Sequence, residues 1–307
     1  MRTVFMGNPE FAIPSLQAIH KSNFNLIAVV SNPPKPIGRK RLLHLTPVGT
    51  YAKEHEIHLI EVNSLKSENL KNQLLQLRPD IFVIVAYKIL PKSLINIPRY
   101  GSINLHASLL PKYRGASPIQ WALMNGDVVT GNTVFQITPS VDTGDVIIQE
   151  HVKIFNDDNM QTLSERLSKN GSDLILKAMR KIKQGGEGIP QDISQVTSAP
   201  KIIKEMTIIN WSWSAEKIHN WIRGLTPKPG MFTYLNNKRL RIYKSKVLNG
   251  NFGNPGTVVD INTNSIIIST GENLIALLEI QLEGKKKLLV SEFLKGYNIK
   301  IDTVLGK

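Results

Sequence analysis

The sequence predicts two folded parts in series: an α/β domain on a mostly parallel sheet, then a small β-barrel. Nearly continuous apolar runs alternate with helical segments over the first 155 residues, the pattern of a parallel sheet covered on both faces. A breaker-rich stretch, Gln184-Gly185-Gly186-Glu187-Gly188-Ile189-Pro190, ends that pattern. Beyond it, short strand-like runs follow one another with turn residues between them. A length of 307 residues fits about two domains of roughly 150 residues.

In chain order, β-rich runs lie at Thr3–Met6, Leu26–Val30, Ile81–Val85, Ser102–His106 and Thr133–Thr138. Helical segments at Pro14–His20 and Ser67–Leu77 separate several of them, and a long one from Met160 to Lys183 closes this half. Open sheets of this kind bind ligands outside the carboxyl ends of their strands. The first strand-to-helix turn, Gly7-Asn8-Pro9-Glu10, is not a Gly-x-Gly-x-x-Gly fingerprint, so no nicotinamide dinucleotide site is indicated. The second half opens with a helix at Ala215–Arg223, followed by strand-like runs at Met231–Leu235, Leu240–Lys246, Gly256–Ile261, Ser265–Ser269, Leu274–Gln281 and Leu288–Val290. Turn signals such as Asn236-Asn237 and Asn249-Gly250 suit a barrel of the oligonucleotide-binding type. The expected division is a domain over 1–189, a linker over 190–207 and a second domain over 208–307.

Hydrophobic residues at 41% and charged residues at 20% exclude a disordered or collagen-like chain. The longest clear apolar run, Ile81–Ala86, is far short of the roughly 18 residues of a membrane span. Met1–Met6 passes into Gly7-Asn8-Pro9 without the longer apolar stretch of a signal peptide, so a cytoplasmic location is expected. Without cysteine there is no disulfide, thiol nucleophile or thiolate metal site. The histidines show no His-Glu-x-x-His spacing, and no metal is expected. The net charge is +14, and residues 201–307 carry +8 of it, with 16 basic and 8 acidic residues. That excess predicts attraction to a polyanion or an anionic substrate.

The most informative stretch runs from Gly101 to Gly115. In a strand at Ser102–His106, Ile103 and Leu105 alternate with Asn104 and His106, which places the two polar side chains on one face. The strand then gives way to a loop, at the ligand-binding edge of an open parallel sheet. An amide can steady a developing oxyanion and an imidazole can move a proton near neutral pH; a core histidine and a turn asparagine would show the same local spacing. Ser140-Val141-Asp142-Thr143-Gly144-Asp145 reads locally as a turn. Brought beside Asn104 and His106, Asp142 would complete a proton-handling trio.

Asn104-x-His106, the Ser108 to Gly115 run and Asp142-Thr143-Gly144 resemble the signature of the folate-dependent formyltransferases. Within them, the branch acting on methionyl-tRNA is most similar, through Met6-Gly7-Asn8-Pro9-Glu10-Phe11, Pro36-Ile37-Gly38-Arg39 and Ile222 to Gly230. The resemblance covers essentially the whole chain and implies a Rossmann-like catalytic domain followed by an OB-like tRNA-binding domain. It implies formyl transfer from 10-formyltetrahydrofolate to the amino group of methionyl initiator tRNA, with Asn104, His106 and Asp142 catalytic and Ser108, Leu109, Leu110 and Pro111 against the folate. Val85 to Pro91 resembles a second folate wall, except that Lys88 stands where the family usually has glycine.

The basic loop Lys35 to Arg41 is similar to the family's acceptor-stem loop, which implies RNA contacts from Arg39, Lys40 and Arg41; Leu42, Leu45 and Gly49 depart from its usual residues. A basic stripe including Lys238, Arg239, Arg241, Lys244 and Lys246 alternates in part with Leu240, Ile242 and Val247, as in a strand with one charged face that attracts phosphates. Trp211, Trp213 and Trp221 are expected in packing rather than base stacking. Nothing in the sequence demands more than a monomer. A formyltransferase acting on an amino sugar or glycinamide nucleotide would keep the trio without needing the basic loop. A hydrolase splitting the formyl donor, and an RNA-binding protein on an inherited scaffold, are the other readings.

Overall fold

A computed structural model describes residues 1–38, 41–250 and 252–306, with only the backbone of Ile37. The chain forms two compact units. The first comprises 1–118, 129–153 and 164–200; the second comprises 119–128, 154–163 and 201–307.

The elements of the first half, in chain order, are β1 (Arg2–Gly7), α1 (Ile13–His20), β2 (Asn25–Ser31), β3 (Lys35–Ile37), β4 (Leu42–His44), α2 (Pro47–Glu54), β5 (Leu59–Glu61) and α3 (Glu68–Gln76). Then come β6 (Ile81–Val85), α4 (Lys92–Ile95), β7 (Ser102–His106), α5 (Pro118–Met124), β8 (Val129–Gln136), β9 (Val146–Lys153) and α6 (Met160–Lys183). Seven strands form one sheet in the order β5-β2-β1-β6-β7-β8-β9. Strands β5 to β7 of that order pair in parallel, whereas β8 and β9 pair antiparallel. The central residues of the first strands are apolar because alternate residues feed two cores. Phe5, Val29, Val83 and Ile103 pack with α1, α2 and α6, while Val4, Met6, Val30, Phe82 and Ile84 pack with α3 and α4. Thr46 and Ser67 start α2 and α3 by accepting from the amides of Gly49 and Leu70.

The second unit is built on α7 (Ala215–Leu225), β10 (Met231–Leu235), β11 (Lys238–Leu248), β12 (Val258–Asn262), β13 (Ser265–Ser269), β14 (Leu274–Leu282), β15 (Leu288–Leu289) and α8 (Val290–Leu294). Among the described residues its six strands are antiparallel, in the order β10-β11-β14-β13-β12 with β15 beside β14. Ala215, Ile218, Ile222 and Leu225 bury one face of α7 against Leu240, Ile242 and Leu277. Val290, expected to end a strand, starts α8 instead.

Residues 190–200, the first part of the expected linker, hydrogen-bond to the first unit: Gln191 to Arg114, and Ala199 to Arg114 and Ser117. The tryptophans pack as expected. Trp211 is buried and donates to Thr233 Oγ1 at 3.1 Å, and the rings of Trp213 and Trp221 lie 4.8 Å apart against the same core.

Candidate active site

Strand β7 carries Asn104 and His106 to the carboxyl edge of the parallel sheet, paired with β6 on one side and β8 on the other. His106 is 6% exposed, its ring edge-on to Phe135. Its Nε2 lies 2.8 Å from the Tyr113 carbonyl oxygen, and Nδ1 lies 3.7 Å from Asp142 Oδ2. A carbonyl only accepts, so Nε2 carries the proton and Nδ1 is the nitrogen that addresses the carboxylate. The Asn104 side chain is partly exposed and, among the described residues, forms no hydrogen bond. Its amide is a donor not committed to the fold.

Asp142 reaches this place by an indirect route. Because β8 runs antiparallel to β7, its last residue, Gln136, lies opposite Ile103, away from the edge where His106 sits. The loop after it turns back, closed by Gln136 N to Asp145 O at 2.9 Å and by Thr138 with Thr143 at 2.9 Å. A side chain at Gly144 would collide with the Gln136 carbonyl oxygen. Asp142 itself takes φ +54°, and its Oδ2 accepts from the Gly115 amide at 2.8 Å. Gly115 has φ +125°, and a Cβ there would meet the Ala199 carbonyl oxygen at 2.7 Å. Glycine therefore lets the backbone amide approach the carboxylate.

The 108–111 segment is tightly held. Ser108 Oγ donates to Lys112 O at 2.6 Å, and Thr133 Oγ1 donates to Ser108 O at 2.6 Å. Leu110 donates its amide to Thr133 Oγ1 and accepts from Gln149 Nε2 at 2.6 Å; its peptide bond to Pro111 is cis. Leu109 fills the space above Gly131. The backbone groups of Ser108 and Leu110 thus serve the loop's own shape, leaving Leu109 and Pro111 partly exposed.

The loop after β6 borders a cleft of about 600 Å³ lined by Asn63, Ser64, Leu65, Lys66, Lys88, Ile89, Leu90, Pro91, Lys92 and Pro139. Lys88 donates from Nζ to Asn63 O at 3.2 Å and Val62 O at 3.4 Å. Next to it, burial pushes the Tyr87 hydroxyl up to about 12, and that hydroxyl has no hydrogen-bond partner among the described residues.

Arg39 and Lys40 lie outside the described residues; Arg41 is exposed beside β4, with φ +49°. In the second unit, Arg239 lies over the Phe232 ring at 5.3 Å and within 3.8 Å of Glu283. On β11, Leu240 and Ile242 point into the core and alternate with the partly exposed Arg239 and Arg241. Pairing with β14 then slips on either side of Lys244. That irregularity buries Ser245 and turns Lys244 and Lys246 outward, so cations before and after it share the outer face. Lys238 is exposed at the start of the strand.

The sequence gives no local sign of Thr133, Gln149, Thr197 or Gln191, which fix these loops through contacts distant along the chain.

The model of the formyl transferase family matches residues 1–179, and that of the formyl transferase C-terminal domain matches 201–298. The chain belongs to the formyl transferase family. A methionyl-tRNA formyltransferase of Caldanaerobacter subterraneus subsp. tengcongensis is 41% identical over 311 residues, covering 99% of this chain and 100% of that protein. A methionyl-tRNA formyltransferase of Clostridium novyi is 42% identical over 309 residues, with 99% and 100% covered. Among solved structures, the sugar 3N-formyl transferase WlaRD, determined with dTDP and 5-N-formyl-THF, matches with a TM-score of 0.69 at 22% identity, over 93% of this chain and 99% of that one. An N-formyltransferase of Helicobacter canadensis, in complex with folinic acid and dTDP-3-aminofucose, gives the same score and identity, over 90% and 98%. These structures share the fold of this formyl transferase.

Proposed function

We propose that the chain transfers the formyl group of 10-formyltetrahydrofolate to the α-amino group of methionine esterified to initiator tRNA. The carrying observation is that Asp142, 36 residues beyond His106 in the chain, comes within 3.7 Å of the His106 ring at the end of the strand that also carries Asn104, on a formyl transferase scaffold matched end to end by methionyl-tRNA formyltransferases. The neutral amine attacks the formyl carbon, a new C–N bond forms, and the carbonyl oxygen becomes an oxyanion. The uncommitted Asn104 amide donates to that oxygen, as does the imidazolium form of His106 through Nδ1, since Nε2 is held by Tyr113. Asp142 takes the amine proton, directly or through water, and orients the imidazole. The bond from the formyl carbon to N10 then breaks, and N10 leaves with a proton.

For the donor, Leu109, Pro111 and the wall of the 600 Å³ cleft supply apolar surface. Arg39, Lys40 and Arg41, with Lys238, Arg239 and Arg241, supply cations for tRNA phosphates. One chain provides all these groups, so a monomer suffices, and a tRNA substrate places the enzyme in the cytoplasm. No helix among the described residues is long and apolar enough to cross a membrane.

The test is a formylation assay with charged initiator and elongator methionine tRNAs and supplied formyl donor. Transfer to initiator tRNA is expected to dominate. A folded protein that formylates neither tRNA overturns the assignment, and formate release without an acceptor would mark a hydrolase.

A further inference from the structure

Residues 189–199 run as a strap along both loops of the site. Arg114 N donates to Thr197 O at 2.9 Å, Ala199 N donates to Arg114 O at 2.7 Å, and Tyr113 N donates to Thr197 Oγ1 at 2.8 Å. Gln191, in the same strap, joins the loop bearing Asp142 to the loop bearing Arg114. The guanidinium only donates, so it takes the amide oxygen: Arg114 Nη2 and Nε lie 2.6 and 3.1 Å from Gln191 Oε1. Backbone carbonyls only accept, so they take the amide nitrogen: Gln191 Nε2 lies 3.0 Å from Asp142 O and 2.8 Å from Gly144 O. No other orientation of this side chain satisfies all four bonds.

We propose that Gln191 is a positioning residue for Asp142, holding its carboxylate where it can serve both His106 and the incoming amine. The inference rests on the formyl-transfer assignment above. Asp142 sits at φ +54°, a conformation that a non-glycine residue keeps only where its surroundings over-determine it. Its carboxylate faces the Gly115 amide at 2.8 Å and His106 Nδ1 at 3.7 Å. The second distance lies outside hydrogen-bond range, so a small rotation of the loop decides which group the oxygen addresses. Gln191 restrains that rotation at the carbonyls of Asp142 and Gly144. The Arg114 charge polarises the amide and strengthens both of its donors. A misplacement of about 1 Å at a reacting group costs on the order of 100-fold in rate.

Two substitutions test the proposal. Gln191→Ala removes the bridge. Gln191→Glu has the same size and keeps the Arg114 pair, but turns a carboxylate oxygen toward two carbonyl oxygens. In single-turnover formylation of charged initiator tRNA, both are expected to lower the rate about 10- to 100-fold, with KM for donor and tRNA within about threefold. Combined with Asp142→Asn, Gln191→Ala is expected to add less than about twofold, because the carboxylate it positions is already gone. Near-normal rates in both Gln191 variants overturn the proposal, as does a loss in the Asp142→Asn background as large as in the wild type. Loss of the native circular dichroism spectrum in both variants would show a purely structural role and overturn it too. A wild-type protein inactive with every donor and tRNA sinks the formyl-transfer assignment itself, a result distinct from these.

Discussion

His106 has both ring nitrogens assigned by geometry: Nε2 donates to the Tyr113 carbonyl, and Nδ1 looks toward Asp142. With Nε2 occupied by Tyr113, Nδ1 is the ring nitrogen left to face the reacting centre. Asn104 contrasts with it, since its amide holds no part of the fold together. Asn104→Ala is therefore expected to cost about 100- to 1000-fold in turnover, the range for losing one oxyanion donor, with little change in thermal midpoint. Asp142→Ala is expected to lower turnover by orders of magnitude as well, and it also strips the Gly115 amide of its acceptor. Single-turnover formylation beside a thermal melt checks both; near-normal transfer by either variant removes that residue from the chemistry.

At the scale of elements, legibility followed burial on both faces. Strands β1, β2 and β6 read clearly because their central residues enter one or other of two cores, and β7 because Ile103 and Leu105 enter one of them. Strand β9 did not, since its mixed exposure leaves neither an apolar run nor a clean alternation. Asn104 and His106 were legible from the period of two in β7. The approach of Asp142 was not, because it depends on β8 reversing direction and the following loop turning back; only the family resemblance joined the three. Gln191 left no trace, being one of several polar residues in a breaker-rich stretch. The pairing slip in β11 was also silent, yet it puts Lys244 and Lys246 on the face of Arg239 and Arg241.

The packing of α7 on β11 carries a pH-dependent contribution. His219 Nδ1 lies 3.0 Å from Ser245 Oγ, and burial, aided by the Arg223 charge, holds its pKa below the ordinary 6.5, against smaller opposing effects of Ser245 and Glu216. The native state thus binds fewer protons than the unfolded state as pH falls through 6.5. The stabilisation is complete above that value and is lost as pH drops below it. His219→Gln keeps a polar partner for Ser245 but cannot titrate. Between about pH 7.5 and 5.5, the urea midpoint of the wild type is expected to fall more than that of the variant. Parallel curves would remove His219 from the pH response.

For the whole molecule, charge is the property that no single site explains. Of the +14, residues 201–307 carry +8, and the outward cations of β11 are the clearest surface for it. Some of that charge is already answered: Arg239 by Glu283 at 3.8 Å, and Lys287 by Glu279, the β14 partner of Lys244, at 3.0 Å. Arg241 stands opposite the neutral Gln281, and Lys246 is exposed opposite Ala276. Each phosphate contact that releases a counterion contributes about 0.7–0.9 to the slope of log affinity against log salt. KM for charged tRNA is therefore expected to rise steeply with salt. KM for the folate donor, with far fewer charges to neutralise, should move little. Arg241→Ala with Lys246→Ala should flatten the tRNA slope by about one to two and raise its KM at low salt, while kcat at saturating tRNA stays within about twofold. A wild-type slope near zero would show that the excess charge is not spent on RNA, and an unchanged slope in the double variant would move the phosphate contacts off β11.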